Sequence, residues 1–409
     1  MEVIHKRCAG LDVHKAEVVA CVRLMEGATV RRELRRFATT TLALMELGEW
    51  LREMGCTQVG MESTGVYWKP VWQVLRSEGL ELVLGNAAHM KNVPGRKSDV
   101  KDAEWIADLV AHGLIRPSFV PPPEIAELRD LTRTRKQLVR EIVQHKQRIQ
   151  RVLEEANVKL ATVISDVLGW SGRRMLRAMI AGEQDPQKLA ALGSDQLQCS
   201  SKVLVEALRG KVTPHHRFLL EEHLSIVEHL EARVRKFEAQ IEAALAPFRE
   251  AVERLKTIPG ISDTAAQVIV AETGADMSRF ATEGHLVSWA GLCPGLNESA
   301  GKHLSRRLRK GAPWLKTMLV QCAWGATRNQ DGYLRAQYLR LKSRRGPKKA
   351  VVAVAASMLT AAYHVLRDAV PYRDLGADHF LLHDRERSAQ RLTRRLRQLG
   401  YEVEIKKVA

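Results

Sequence analysis

Two long stretches of heptad-like apolar spacing constrain the fold of this 409-residue chain more than any other feature. They cover about residues 124–160 and 214–247, and in both of them apolar residues recur at spacings of three, four or seven. This spacing places one apolar stripe along each helix, so we predict two long helices that form coiled-coil arms. A smaller helical insert, about residues 165–210, lies between them. Two core helices of an ordinary bundle would give the same pattern and remain the alternative.

The segment before the arms alternates strand patterns with helix patterns. Short apolar runs bounded by turn formers predict strands, and apolar residues at helical spacing predict helices. The predicted strands cover 8–26 (two strands around a turn), 57–64 and 80–86, and the predicted helices cover 38–55, 67–79 and a stretch that ends near 112. This alternation predicts an α/β domain over residues 1–120, which the Pro-Pro-Pro run at 121–123 closes.

The segment after the arms is predicted to be mainly helical. Residues 255–274, "LKTIPGISDTAAQVIVAETG", resemble a helix-hairpin-helix whose turn can offer backbone N–H groups to a phosphate. "PGLNESAGK" (294–302) is rich in turn formers and predicts a loop. The apolar run 350–366 is too short and too rich in small residues for a membrane span, and it predicts a buried helix. The predicted domains are therefore 1–120, 121–250 and 251–370, with an unassigned tail at 371–409.

The charge of the chain favours a polyanionic partner. The formal net charge is +17, and residues 300–349 carry 14 Lys or Arg against one acid, Asp331. Nucleic acid fits this distribution better than a membrane surface does. The first arm adds a run of cations that is either a solvated helix face or a surface that tracks phosphates: Arg129, Arg133, Lys136, Arg140, Lys146, Arg148 and Arg151.

The cysteines point to a reducing compartment. There are six, they are widely scattered, and no two of them form a CxxC pair. This predicts reduced thiols and neither a disulfide framework nor a zinc site. The N-terminus lacks a signal-peptide pattern, so we expect a cytoplasmic protein with no membrane partner.

Four acids in the first 110 residues could form a metal site. Asp12 and Glu62 end predicted strands, and Asp99 and Asp102 stand three apart at the start of a predicted helix, which puts them on one face. Carboxylates are the ligands that Mg²⁺ or Mn²⁺ prefers, and two such ions about 4 Å apart can clamp both oxygens of a phosphodiester exchange. Taken singly, each acid is more often a turn, strand-end or helix-capping residue.

Several blocks of the sequence resemble one known family. "GLDVHK", "MESTGVYW" and "GRKSDVKDAEWIADL" resemble the signature blocks of the DEDD-type transposases of the insertion sequence 110 family. "IPGI", "WAGLCP", "ESAGK" and "RKGAPWL" resemble the second conserved domain of that family, so the likeness runs from about residue 8 to 368. It implies a resolvase-like N-terminal domain of RNase H fold, with Asp12, Glu62, Asp99 and Asp102 holding Mg²⁺ or Mn²⁺.

The resemblance also implies a serine nucleophile, at Ser299. Many family members have two glycines after this serine, and here the first is Ala300. From the residues alone Ser299 is more readily explained as a turn serine, and Ser63, Thr64, Ser98 and Ser305 would compete with it as nucleophile. The surrounding cations are predicted to bind backbone phosphates: Lys302, Arg306, Arg307, Arg309, Lys310, Arg344 and Arg345. Nearby tryptophans, Trp314 among them, could stack on unpaired bases or belong to the core.

The resulting prediction is a DNA transposase and recombinase that works through a phosphoserine intermediate. The family implies that a noncoding bridge RNA pairs with donor and target DNA, and that dimers assemble into a tetramer with shared active sites. It also implies a bacterial protein at the nucleoid. Two alternatives remain: a metal-dependent DNA junction endonuclease that uses water, and a non-catalytic nucleic-acid-binding protein.

Overall fold

The computed structural model of the chain describes residues 2–27, 29–63, 65–91, 93, 102–294, 297–299, 302–305, 308, 311–382 and 385–404. The chain divides into two compact units, Met1–Val120 and Pro121–Ala409. The first unit is a mixed sheet with helices, and the second is mainly helical. The four-part division that the sequence suggests stays a prediction.

The first unit is built on a five-stranded sheet in the order β3-β2-β1-β4-β5. Strands β1, β2 and β3 form an antiparallel meander, and β4 and β5 extend the sheet parallel to β1. The strands are β1 (Arg7–Val13), β2 (Glu17–Glu26), β3 (Thr29–Ala38), β4 (Gln58–Glu62) and β5 (Glu81–Gly85); the helices are α1 (Thr41–Glu53), α2 (Trp68–Ser77), α3 (Ala87–Lys91) and α4 (Asp102–Ala111). All the predicted strands and helices of this unit are present.

Helices cover both faces of this sheet. One face packs the core of the unit against α1 and α2, and Leu11 and Met61 are fully buried there. On the other face α4 lies directly on β1, because Gly10 has no side chain. A Cβ at Gly10 would stand 2.3 Å from the carbonyl oxygen of Ala103 and 2.3 Å from the backbone nitrogen of Ala107. The glycine therefore brings the first turns of α4 down onto β1.

Strand β3 was not predicted. Its sequence, "TVRRELRRFA", carries four arginines and is mostly exposed, because the strand lies at the edge of the sheet. Strand prediction relies on apolar alternation, which an exposed edge strand does not need. Charged residues on an edge strand also discourage pairing with another chain.

The two arms are α5 (Pro123–Glu155) and α10 (Pro214–Ala244), which pack against each other within the chain. Four short helices form the insert: α6 (Leu160–Val163), α7 (Trp170–Ala181), α8 (Pro186–Ala190) and α9 (Ser201–Ala207). The insert and the adjoining ends of both arms share one buried core, in which Ile149 of α5 lies with Leu224 of α10. Toward the N-terminus of α5, Leu138 and Ile142 of the apolar stripe are only partly buried, and Val139 and Val143 beside them are 43% and 46% exposed.

The rest of the second unit is a helical assembly with one β-hairpin. Its elements are α11 (Arg249–Lys256), α12 (Asp263–Thr273), α13 (Glu283–Trp289), β6 (Asn297–Ser299), β7 (Lys302–Ser305), α14 (Pro313–Ala326), α15 (Tyr333–Arg345), α16 (Pro347–Arg367), α17 (His379–Leu382) and α18 (Arg385–Gln398). The predicted helix-hairpin-helix is α11, the Pro259–Gly260 turn and α12. A Cβ at Gly260 would lie 2.4 Å from the carbonyl oxygen of Cys322, so this turn is packed onto α14.

Helix α16 is the predicted buried helix. Within the described part of the chain it is the one helix long and apolar enough to cross a membrane, and 56% of that apolar window is buried in the structure. Its buried side chains, such as Val354, Met358 and Leu359, pack among α13, α14 and α15. We therefore assign α16 to the core of the second unit.

Candidate active site

Three of the four predicted acids lie near one another, where the parallel strands β1 and β4 end. Asp12 lies near the end of β1, and Glu62 is the last residue of β4. Each of them comes one residue after the paired residues Leu11 and Met61 of these parallel strands, so their positions are side by side. Because side chains alternate along a strand, both acids lie on the same face as Gly10, the face that α4 covers. Asp102 is the first residue of α4.

The electrostatics of Asp12 show that these acids are close enough to affect one another. Burial raises the pKa of the Asp12 carboxyl, and the negative charges of Asp102 and Glu62 raise it further. His14 acts in the opposite direction, with its Nε2 atom 3.1 Å from Oδ2 of Asp12. Carboxylates that repel one another at the end of a sheet favour a cation between them. The donor set, which consists of carboxylate oxygens, fits a hard divalent ion such as Mg²⁺.

Asp99 lies outside the described residues, so its position relative to the other acids stays a prediction. Within the residues that the structure does describe, no three or more His, Cys, Asp or Glu side chains are grouped so that they could hold a metal ion. The three described acids therefore approach one another without completing a coordination cluster.

Two arginines hold α4, the helix that begins with Asp102, against the sheet. The Nε atom of Arg23 in β2 donates to Asp108 of α4 at 2.9 Å, and Arg32 in β3 donates to both carboxylate oxygens of Asp108 at 2.9 and 3.0 Å. Arg23 is only 4% exposed, so its pair with Asp108 is shielded from water. These contacts tie α4 to the antiparallel strands and keep Asp102 over the end of β1. No local sequence pattern indicates this clamp, because the partners stand 85 and 76 positions apart.

Ser299 belongs to a β-hairpin. It is the last residue of β6 and pairs with Lys302, the first residue of β7. The prediction of a loop was therefore wrong for 297–299 and for 302, because these residues pair as strands. The side chains of both hairpin strands, together with Arg306, Arg307, Arg309 and Lys310, lie outside what the structure describes, so their predicted roles stay predictions.

Comparison with known proteins places both predicted parts in one family. A transposase family model of the DEDD type of IS110 elements matches residues 9–158, which include all four acids. A second model, described as "Transposase IS116/IS110/IS902 family", matches residues 252–339, which include Ser299. The chain belongs to the IS110 family of transposases. It is also 22% identical over 321 residues to the "Putative transposase y4qE" of Sinorhizobium fredii (strain NBRC 101917 / NGR234), an alignment that covers 76% of this chain and 68% of that protein.

The six cysteines of this IS110-family transposase are free thiols, and four of them are buried. Burial raises the pKa of Cys8, Cys21 and Cys56 to about 12, and that of Cys322 to about 11. A thiol must lose its proton to attack, so these four are structural at neutral pH.

Exposed cations cluster where α15 ends and α16 begins. Arg344 and Arg345 are the last two residues of α15, where positive charge complements the helix dipole. Lys348 and Lys349 stand in the first turn of α16, where positive charge is disfavoured and no acid compensates it. The phosphate contacts predicted for Arg344 and Arg345 stay a prediction.

The run of cations on α5 is partly structural, a role that sequence reasoning missed. Arg129 and Arg133 both approach Glu272 of α12, which is 1% exposed, and Arg133 donates to its two oxygens at 2.8 Å each. Lys146 pairs with Asp166 at 2.5 Å, and Arg151 pairs with Glu155 at 2.9 Å. Lys136 and Arg140 form no such ion pair within the described part of the chain.

Proposed function

We propose that this transposase cuts and rejoins donor and target DNA by transesterification through Ser299. The observation that carries the proposal is the approach of Asp12, Glu62 and Asp102 at one edge of the sheet, in a chain of a transposase family. The strand order, with three antiparallel strands followed by two parallel ones, is the arrangement expected of an RNase H-like domain. This fold supports the assignment of the acids as the metal-binding part of the site.

The acids and the serine would have different tasks. Asp12, Glu62, Asp99 and Asp102 would hold Mg²⁺ or Mn²⁺, and the bound ion would neutralise charge on the scissile phosphate. Lys302 and its basic neighbours would bind the same phosphate and orient it toward Ser299.

The reaction at Ser299 conserves the number of phosphoester bonds. The Ser299 Oγ atom forms a bond to phosphorus, the bond from phosphorus to one strand end breaks, and the serine proton ends on that leaving oxygen. The phosphoserine ester retains the bond free energy, so a hydroxyl of another strand can reverse the step without a nucleotide cofactor.

The remaining parts of the proposal concern partners. The surplus of positive charge suits a noncoding bridge RNA that pairs with donor and target DNA, in addition to the DNA itself. The partly covered apolar stripe of the arms suits assembly of dimers into a tetramer. We place this assembly at the nucleoid, in the bacterial cytoplasm.

The deciding experiment tests for a covalent adduct. Purified protein, Mg²⁺, end-labelled donor DNA and the RNA transcribed from the flanking noncoding DNA are incubated, and the products are run on a denaturing gel. We expect label on the protein, and peptide mapping should assign it to Ser299. Ser299→Ala should bind DNA and form no adduct, whereas the matched variant Ser305→Ala, in the partner strand of the same hairpin, should form it.

Two outcomes would contradict the proposal. Label on another residue would move the nucleophile away from Ser299. Efficient cleavage by Ser299→Ala, with free ends and no adduct, would instead support an endonuclease that uses water.

A further inference from the structure

Three cations of α5 surround the indole ring of Trp314, the second residue of α14. The Cζ atom of Arg140 lies 5.1 Å from the ring centroid, and the Cζ of Arg133 and the Nζ of Lys136 each lie 5.8 Å from it. Each distance is within the range of a cation–π contact. We call these four residues the Trp314 cluster. The ring holds the long cationic side chains in a defined arrangement and thereby reduces the entropy that a ligand would have to remove.

The cluster carries more positive charge than its surroundings balance. Glu272 contacts the cluster: it receives two hydrogen bonds from Arg133 and lies 3.6 Å from Arg129. That carboxylate is therefore shared by two arginines already. The Nζ atom of Lys136 is buried and has no hydrogen-bond acceptor within the part of the chain that the structure describes.

The position of Lys136 is unfavourable in the free protein. Burial lowers the pKa of its ammonium group, the positive charge of Arg140 lowers it further, and only Glu272 opposes these effects. A side chain needed only to cover Trp314 could be apolar, because the ring contact alone requires no charge. An unpaired, partly buried ammonium beside a guanidinium would be satisfied by an anion with several acceptor oxygens.

We propose that Lys136 and Arg140, held by Trp314, form a binding seat for a phosphodiester group of a bound nucleic-acid strand. This inference rests on the proposed function, in which the second unit contacts polynucleotide. A phosphodiester offers two charged oxygens, one for the ammonium of Lys136 and one for the guanidinium of Arg140. The net charge of +17 makes a polyanion the fitting source of that group.

The test removes the charges of Lys136 and Arg140 and measures the salt dependence of nucleic-acid binding. Lys136→Gln/Arg140→Gln is compared with Arg235→Gln/Lys236→Gln, which removes the same charge from exposed positions of α10. Fluorescence anisotropy is measured between 50 and 300 mM salt with duplex DNA, single-stranded DNA and the flanking RNA. Loss of two phosphate contacts should reduce the salt slope by about 1.8 for a duplex or about 1.4 for a single strand, and weaken binding about 25- to 60-fold at 0.1 M salt.

The three probes identify which nucleic acid supplies the phosphodiester. The probe that binds the Lys136→Gln/Arg140→Gln variant more weakly than wild type is the one whose strand occupies the seat. Equal losses in the control variant would overturn the proposal, because general charge would then explain them. Unchanged binding of all three probes, with a lower melting temperature of the free variant, would show that the cluster only stabilises the fold. We expect the melting temperature to stay the same or rise, since like charges are removed.

The adduct assay separates this inference from the proposed function. If Lys136→Gln/Arg140→Gln binds nucleic acid and forms the serine adduct like wild type, the proposal of a phosphodiester seat is wrong and the serine chemistry stands. If wild type forms no adduct and the variant still loses affinity, the seat stands and the serine chemistry is wrong.

Discussion

At the scale of single residues, the candidate site depends on charges of the same sign placed close together. Asp12 lies within the electrostatic influence of Glu62 and Asp102, and its carboxyl is partly buried. Such a cluster is unfavourable for folding and favourable for holding a cation, which is the usual relation between stability and function at a metal site. Gly10, two residues earlier, matters equally, because any side chain there would lift α4 and carry Asp102 away from Asp12.

We predict that Asp12→Asn abolishes DNA cleavage in Mg²⁺ without destabilising the free protein. The amide keeps the shape of the side chain and removes one of the repelling charges. The free energy of unfolding from urea titration should therefore equal or exceed that of wild type. Glu46→Gln, at an exposed position of α1, is the control and should keep full cleavage. A variant that cleaves at a near-normal rate would remove Asp12 from the site.

At the scale of elements, the pairing of α5 with α10 includes a contact between two histidines. The Nδ1 atoms of His145 and His223 are 3.3 Å apart, and a guanidinium nitrogen of Arg148 lies 3.2 Å from Nε2 of His145. A guanidinium can only donate, so Nε2 of His145 accepts. The Nδ1–H of His145 then donates to Nδ1 of His223, and both rings are neutral in this arrangement.

We predict that the arms lose stability as the pH falls below about 6.5. Burial and the charge of Arg148 lower the pKa of His145, and burial together with His145 lowers that of His223. The unfolded chain therefore binds more protons than the folded chain below the ordinary value of 6.5, and the stabilisation present above that pH is lost as the pH falls through the folded pKa values. Melting temperatures at pH 7.5 and 5.5 should differ more for wild type than for His145→Gln/His223→Gln.

The control for this prediction is His215→Gln, an exposed histidine of α10, which should behave like wild type. If the double variant showed the same drop between the two pH values as wild type, other groups would be responsible for it.

Elements with strong periodicity could be predicted from the sequence, and the exceptions have physical reasons. The arms, α1 and the strands that bear Asp12 and Glu62 follow from apolar spacing. Strand β3 does not, since this edge strand carries four arginines and lacks an apolar alternation. The burial of Arg135, which donates to Gln267 at 2.9 Å, could not be predicted because its partner is 132 positions away.

The same contrast applies to the candidate site. The proximity of Asp12 and Glu62 follows from the rule that the carboxyl ends of neighbouring parallel strands lie side by side. The clamp of Arg23 and Arg32 on Asp108 does not follow from any local pattern, because tertiary packing brings the partners together. The serine came from the likeness to a family, since a hydroxyl beside a turn has no signature of its own.

At the scale of the whole molecule, the partly covered apolar stripe on the arms leads us to expect assembly with a second copy of the chain. Val139 and Val143 stand one helical turn apart on α5, and each is more than 40% exposed. Residues of this type at this spacing suit the seam between paired helices.

We predict that Val139→Lys/Val143→Lys lowers the oligomeric state without unfolding the arms. Light scattering coupled to size-exclusion chromatography should give a smaller molar mass than wild type, and circular dichroism should show the same helix content. Val203→Lys, at a 49% exposed position of α9, is the control and should keep the molar mass of wild type. An unchanged mass in the double variant would place the interface elsewhere.

The core shared by the insert and the adjoining ends of the arms has a consequence for synthesis. All of its buried side chains lie between Ile149 and Val227, a contiguous stretch of the chain. Contacts that are local in sequence form fast, because little loop entropy must be lost to make them. This part can therefore complete its core once Val227 has emerged from the ribosome, before α11 to α16 have emerged. The insert and the adjoining ends of α5 and α10 would then be folded before α12 packs against α5.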